Sequence, residues 1–232
     1  MREVFSDSKL TKGRKERNDE VPKMNIENIS VNTQSSIRIA GSKILYFDPF
    51  HIVNAAHDAD MIFVTHSHYD HLDPESIEKI AGDHTVFIAP ASIEKEMRNV
   101  TREKELILMK PREKQEIGGL SVQAVPAYNR LKPFHPKRNQ WNGYVLTMDG
   151  VLYYVAGDTD AVNDLTSIRC DVALVPIGGT YTMNAKEAAK LINTISPEIA
   201  VPTHYGSIVG KKQDADVFRE NVKPGIRVEV LL

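Results

Sequence analysis

A single cysteine, Cys170, stands in the 232 residues, so no disulfide can form within the chain and nothing demands an oxidising compartment. Long apolar runs are missing too. The longest reach about six residues, against the roughly 20 that a membrane-crossing helix requires. The opening residues hold no apolar stretch of the kind a secretory leader carries, which makes a cytoplasmic location the default expectation. Net charge is nearly absent, at −2, which removes the electrostatic ground for nucleic acid or an acidic membrane as partner. No short-period repeat is visible. These absences argue against a membrane or nucleic acid as partner.

What is present is the composition of an ordinary globular protein, 41% hydrophobic and 26% charged, in a chain long enough to bury a substantial core. Residues 1–23 stand apart. They hold seven basic residues (Arg2, Lys9, Lys12, Arg14, Lys15, Arg17, Lys23) and five acids (Glu3, Asp7, Glu16, Asp19, Glu20), few apolar residues and no periodicity. Such a segment cannot offset its ordering entropy by burial, so a flexible N-terminal tail is expected, followed by one domain over 24–232.

Within that domain short β-rich runs alternate with helical stretches. The expected strands are Ile26–Val31, Ser36–Ile39, Lys43–Phe47, Met61–Thr65, Thr85–Ala89 and Leu106–Met109, then Ser121–Pro126, Gly143–Met148, Val151–Ala156, Val172–Pro176, Ile199–Thr203 and Ile226–Leu231. Asp149-Gly150 between two of them predicts a tight hairpin. Asp73 is placed to cap a helix whose first residue is Pro74. Asn184 and Glu187 have the spacing of a capping box, followed by Ala188, Leu191, Ile192 and Ile195 at core spacing. Residues 92–99 and 213–222 are expected to be helical as well. The order fits an α/β protein in which two mixed sheets pack face to face under helices, a four-layer sandwich.

The sharpest chemical feature is Thr65-His66-Ser67-His68-Tyr69-Asp70-His71-Leu72-Asp73, lying between the apolar run Met61–Val64 and the helix start at Asp73. Three imidazoles and a carboxylate on a strand-to-helix turn can converge on one point, whereas an extended strand would send neighbours to opposite faces. Imidazole nitrogen and carboxylate oxygen suit zinc, iron and manganese. Two weaker signals follow. Val155-Ala156-Gly157-Asp158 ends a strand on a glycine and presents a carboxylate, and Val201-Pro202-Thr203-His204 ends another on a histidine. By contrast His51, His57 and His84 stand alone in polar surroundings and are read as solvated or locally bonded. Cys170 reads as a half-buried thiol at a strand entrance rather than a nucleophile.

Together the three signals resemble the metallo-β-lactamase superfamily, from about residue 24 onward. Asp48-Pro49-Phe50, Ala127-Tyr128-Asn129, Phe134-His135-Pro136-Lys137 and Pro176–Met183 narrow the likeness to hydrolases akin to ascorbate-6-phosphate lactonase. The resemblance implies an αβ/βα sandwich with a one- or two-metal site where the sheets meet, zinc ahead of manganese or iron. It implies that His66 and His68 bind a first metal, that Asp70, His71 and His204 bind a second, and that Asp158 bridges them. Many relatives place a further histidine in a middle loop. The corresponding Pro126-Ala127-Tyr128-Asn129 has none, so Tyr128, Asn129 or the later His135 are the alternatives, and His135 is equally open to a substrate-facing or structural role. On this count the first position holds fewer ligands, and an asymmetric centre that loses its first metal more readily is expected.

The chemistry implied is hydrolysis of a small ester, lactone or phosphodiester by a metal-bound hydroxide, since a divalent metal lowers the pKa of bound water from 15.7 towards about 7. Asp70 and Asp158 would act as ligands first and as proton relays second. A nuclease, which calls for a basic groove, and a non-catalytic metal-binding protein are the alternatives. Lys132, Lys137 and Arg138 stand either as contacts for an anionic substrate or as a solvated charge run.

Overall fold

Alternation sets the layers. In the run Val172-Ala173-Leu174-Val175, Val172 and Leu174 join one buried cluster while Ala173 and Val175 join another. A strand buried on both faces lies inside a stack rather than at its surface. The same division holds for Met61 and Phe63 on one side against Ile62 and Val64 on the other.

The computed structural model describes residues 26–232. The expected tail over 1–23 lies outside the described residues. One sheet runs in sequence order from β1 (Ile29–Val31), β2 (Ile37–Ala40) and β3 (Ile44–Phe47) to β4 (Ala59–Phe63), β5 (Ala81–Pro90) and β6 (Leu106–Met109). Its first three strands pair antiparallel, and β3 to β6 pair parallel. The other sheet contains β7 (Lys114–Ile117), β8 (Leu120–Ala127), β9 (Trp141–Met148), β10 (Val151–Val155), β11 (Val172–Pro176), β12 (Ile199–Thr203) and β13 (Arg227–Val228). It is antiparallel from β7 to β10 and parallel from β10 to β13. Both sheets are mixed, as expected.

Helices α1 (Pro74–Ile80) and α2 (Glu94–Thr101) follow β4 and β5, and their Ile77, Ile80 and Met97 pack with Ile62, Val64 and Phe87. Helices α3 (Ala185–Ile195) and α4 (Asp214–Asn221) cover the second sheet through Leu191, Ile192, Ile195 and Phe218. The central layer between the sheets includes Phe47 stacked on Phe63 at 4.6 Å, with Tyr144 edge-on to Phe63 at 5.2 Å. The four layers are therefore helix, sheet, sheet, helix.

Local signals act as the residues dictate. Asp73 caps α1 by accepting from the Glu75 N–H, with Pro74 at the first helical position. Asn184 and Glu187 close a reciprocal capping box on α3. Asp149 and Gly150 adopt φ of 52° and 80° between the paired Met148 and Val151, the left-handed pair of a two-residue hairpin. The expected first and last strands shrink to Ile29–Val31 and Arg227–Val228. Single backbone bonds carry on past those bounds, Glu229 N–H to Ala200 O at 3.0 Å and Ala40 N–H to Asn28 O at 2.9 Å, while Ile26 and Leu231 pack against the central core. Among the described residues no helix is long and apolar enough to cross a membrane.

Candidate metal centre

The carboxyl ends of β3, β4, β8, β10 and β12 all face one edge of the sandwich, because β8 runs parallel to β10 through the intervening antiparallel β9. Loops leaving that edge converge. The two sheets are tied together there by Tyr144 Oη donating to Val64 O at 2.8 Å and by Asn142 N donating to Thr65 O at 3.2 Å. The His204 N–H donates to Gln34 O at 2.8 Å across the same seam.

From β4 the chain leaves through Val64 and Thr65 into the histidine-rich turn. His66, Asp70 and His71 are buried and His68 is half-buried, while Tyr69 between them points outward. From β10 the chain turns at Gly157, with φ of 63° and a place for a Cβ only 2.9 Å from the Thr65 Cβ. Glycine is needed there to bring Asp158 against the β4 loop. From β12 the chain delivers His204 in a left-handed conformation.

Three nitrogens form the first group. His66 Nε2 lies 3.0 Å from His68 Nδ1, and His135 Nε2 lies 3.3 Å from the former and 3.2 Å from the latter. Nitrogens bound to a tetrahedral zinc at 2.0–2.1 Å would stand about 3.3 Å apart. Neutral imidazole carries one N–H, so three such nitrogens cannot all satisfy one another. The second group is Asp70, His71 and His204: Asp70 Oδ2 is 3.4 Å from His204 Nε2 and 3.7 Å from His71 Nε2. Asp158 stands between the groups. Its Oδ2 is 3.2 Å from His135 Nε2 and 3.3 Å from His204 Nε2, and its Oδ1 is 3.4 Å from His71 Nε2.

Buried polar atoms ordinarily find hydrogen-bond partners. Here His71 Nε2, Asp158 Oδ1 and His204 Nε2 close none within the protein, and Gln34, fully buried beside His204, leaves both amide atoms without one. The unpartnered donors, their spacing and their chemistry fit divalent metal ions.

The ring orientations are held from behind. Asp48, fully buried at the end of β3, accepts from Thr65 N at 2.7 Å and from Thr65 Oγ1 at 2.6 Å, and lies 2.7 Å from His71 Nδ1. Burial would lower His71, but Asp158 and Asp48 outweigh it and hold the ring well above its ordinary range; with the Nδ1 proton kept by Asp48, Nε2 is the nitrogen that would give up its proton to a metal. Since Thr65 Oγ1 donates to Asp48, it accepts from His66 Nδ1 at 3.0 Å, which frees His66 Nε2. Burial, and next the neighbouring His71, hold His66 well below its ordinary range, so it stays neutral, the form that binds metal. Burial would raise Asp158, but His204 and His71 outweigh it and keep the carboxyl well below its usual range.

Every histidine and aspartate expected at the site is brought into this cluster, and His135 joins it from residues 128–140. With His135 present, each group offers three side chains besides Asp158, and unequal ligand number no longer distinguishes the two positions. Tyr128 and Asn129 point to other work. Tyr128 Oη donates to Asp164 at 2.9 Å, and Asn129 Nδ2 donates to Phe134 O at 2.9 Å and Tyr181 O at 2.6 Å, clasping two loops together. Lys132 is engaged by Asp160 and Thr182 O, and Lys137 by Asp164 and Tyr128. Sequence reasoning missed the roles of Asp48 and of Trp141, whose ring lies 4.7 Å from His66, 5.0 Å from His68 and 5.4 Å from His135. Asp48-Pro49 at a strand end was the available signal for the first; the second carries none.

Comparison with known proteins agrees with this geometry. The beta-lactamase superfamily domain model matches residues 29–204, from β1 to the histidine after β12. A UPF0173 metal-dependent hydrolase of Pyrococcus abyssi is 32% identical over 207 residues, covering 83% of this chain and 91% of that protein. The crystal structure of a Parabacteroides distasonis protein, 29% identical, superposes with a TM-score of 0.74 over 87% of this chain and 91% of that one. CmlA, a diiron beta-hydroxylase from Streptomyces venezuelae, is 13% identical with a TM-score of 0.69, over 87% of this chain and 52% of that one, a likeness of fold alone. The chain belongs to the beta-lactamase superfamily and is a metal-dependent hydrolase.

Proposed function

We propose that the centre holds two divalent ions, zinc foremost, and hydrolyses a small ester, lactone or phosphodiester. The observation that carries this reading is the meeting of two buried donor groups at one carboxylate, Asp158. His66, His68 and His135 would hold one ion, Asp70, His71 and His204 the other, and Asp158 would contact both. When bound, such ions supply an acidified water near neutral pH and polarise a carbonyl or phosphoryl oxygen.

The chain's own residues do the rest. Asp48 and Thr65 fix the proton positions of His71 and His66, leaving each Nε2 directed into the centre. Trp141 covers the three imidazoles of the first group and keeps water from that flank. Asp70 is the more exposed carboxylate, its side chain 10% accessible against 3% for Asp158. It is therefore the better placed to pass a proton to the departing group. The lone cysteine fits a reducing, cytoplasmic setting.

The test is a panel of lactones, thioesters and phosphodiesters on protein of defined metal content. Turnover should require the metal, vanish in His66→Ala and return when chelated wild-type protein is reloaded. Undiminished hydrolysis by the metal-free protein would overturn the reading.

A further inference from the structure

Large exposed hydrophobic side chains scattered singly over a surface carry no message. Their distribution here is not scattered. Six stand out among the described residues: Val53, Tyr69, Leu131, Phe134, Ile208 and Leu232. Five of the six lie in loops that also carry members of the metal cluster or the carboxylate behind it. Tyr69, 67% exposed, sits between His68 and Asp70, and Phe134, 44% exposed, precedes His135. Leu131, 97% exposed, is in the same loop as His135; Ile208 follows His204, and Val53 follows Asp48.

Two of these residues are held in place. Phe134 packs edge-on against Tyr181 at 4.6 Å, and Asn129 binds the backbone carbonyls of both. Tyr69 lies edge-on to Phe50 at 6.0 Å. Built contacts of this kind hold apolar surface towards solvent at a fixed place, which a protein without a use for that surface would not keep. Of the cations in the His135 loop, Lys132 and Lys137 are engaged by Asp160 and Asp164, while Arg130 and Arg138 are exposed and join no ion pair among the described residues.

We infer that the site selects an ester or lactone bearing an alkyl or aryl group of several carbons, which Tyr69, Leu131, Phe134 and Ile208 cover while the scissile group meets the metal centre. This rests on the hydrolase reading and adds the substrate class. Each methylene that the rim buries should tighten binding roughly fourfold at most.

Calorimetric titration of the zinc-loaded protein with aceto-, butyro- and octanohydroxamate tests it, alongside turnover of the matching p-nitrophenyl esters. The octanoyl probe should bind at least about thirtyfold more tightly than the acetyl probe, with kcat/KM rising in the same order. Phe134→Ala and Leu131→Ser should each cut that ratio about threefold or more, whereas Leu232→Ser, exposed but on no site loop, should keep it. A flat series with metal-dependent binding would overturn the substrate class alone. Hydroxamate binding indifferent to metal removal would overturn the metal centre, and the inference with it. A flat series in a protein that partitions onto phosphatidylcholine vesicles would overturn the substrate class and assign the rim to a lipid surface instead.

Discussion

His71 and His135 reach the same carboxylate from opposite kinds of support. His71 stands on the short turn leaving β4, with Asp48 and Thr65 forming a fully buried hydrogen-bonded backing to its ring. His135 arrives from residues 128–140, a long connection with φ of 57° at the histidine itself, held through Asn129, whose N–H donates to His135 O at 2.8 Å and whose Nδ2 reaches Phe134 O, Tyr181 O and, at 3.3 Å, His135 Nδ1. The two donor groups match in number of side chains yet differ in how firmly those are pre-positioned. An asymmetric centre, expected at first from counting ligands, is better argued from anchoring: the group containing His135 should lose its ion first.

The largest effect should come from Asp158, because it is the carboxylate whose two oxygens reach both groups. Asp158→Asn should lower both metal occupancies and reduce kcat/KM by more than about a hundredfold, beyond the 10–100-fold typical of outer partners. Metal analysis of the dialysed variant, with anomalous scattering to place each ion, decides it. Loss at one position only would remove Asp158 from the bridge.

Asp48→Asn comes next and probes the firmer side. It weakens the acceptor that orients His71, so affinity at the position of Asp70, His71 and His204 should fall roughly 10–100-fold. The other position should change less, feeling Asp48 only through Thr65. Metal titration of the variant giving equal losses at both would erase the distinction drawn between them.

The looser side is probed by Asn129→Ala. Removing the clasp frees the His135 loop, and the affinity of the imidazole group should drop by about tenfold while the other position holds. Proteolysis between 128 and 140 should quicken in the same variant. An unchanged first position would show that the loop is fixed by Phe134 and Tyr181 packing instead.

The contrast also explains what could be read from the sequence. His66, His68, Asp70 and His71 were legible because one turn holds them, and contiguity needs no knowledge of tertiary structure. Asp158 and His204 were legible once strands were seen to end on them. His135 stayed undecided, because only the folding back of its loop, through Asn129, carries it to Asp158. Asp48 stood out only as part of Asp48-Pro49-Phe50 at a strand end; its role as a support was not legible, since its burial against His71 depends on β3 lying beside β4. Strand β7 was missed for a related reason: Lys-Gln-Glu-Ile has no apolar alternation, and pairing with β8 alone makes it a strand. The layers were plain because alternating residues such as Val172 to Val175 must bury two faces at once.

The smallest expected effect belongs to Cys170, and its smallness is informative. A thiolate would be a strong zinc ligand and would compete with imidazoles in any metal titration. Burial, and next the charge of Asp171, push this thiol from its ordinary 9.0 up to about 12. A thiol raised in the fold favours the native state below its unfolded value, and that contribution declines as pH climbs from about 9 towards 12. Between pH 7 and 8 the group is therefore protonated and inert. Alkylation by iodoacetamide at pH 8 should run roughly a thousandfold slower than for a free thiol of ordinary value, because only the thiolate attacks. Cys170→Ala should leave both metal affinities where they were, so the ranking of Asp158, Asp48 and Asn129 can be measured in that background. Rapid labelling of the native protein, or a metal isotherm altered by the substitution, would show that sulfur reaches a metal and that the two donor groups have been counted wrongly.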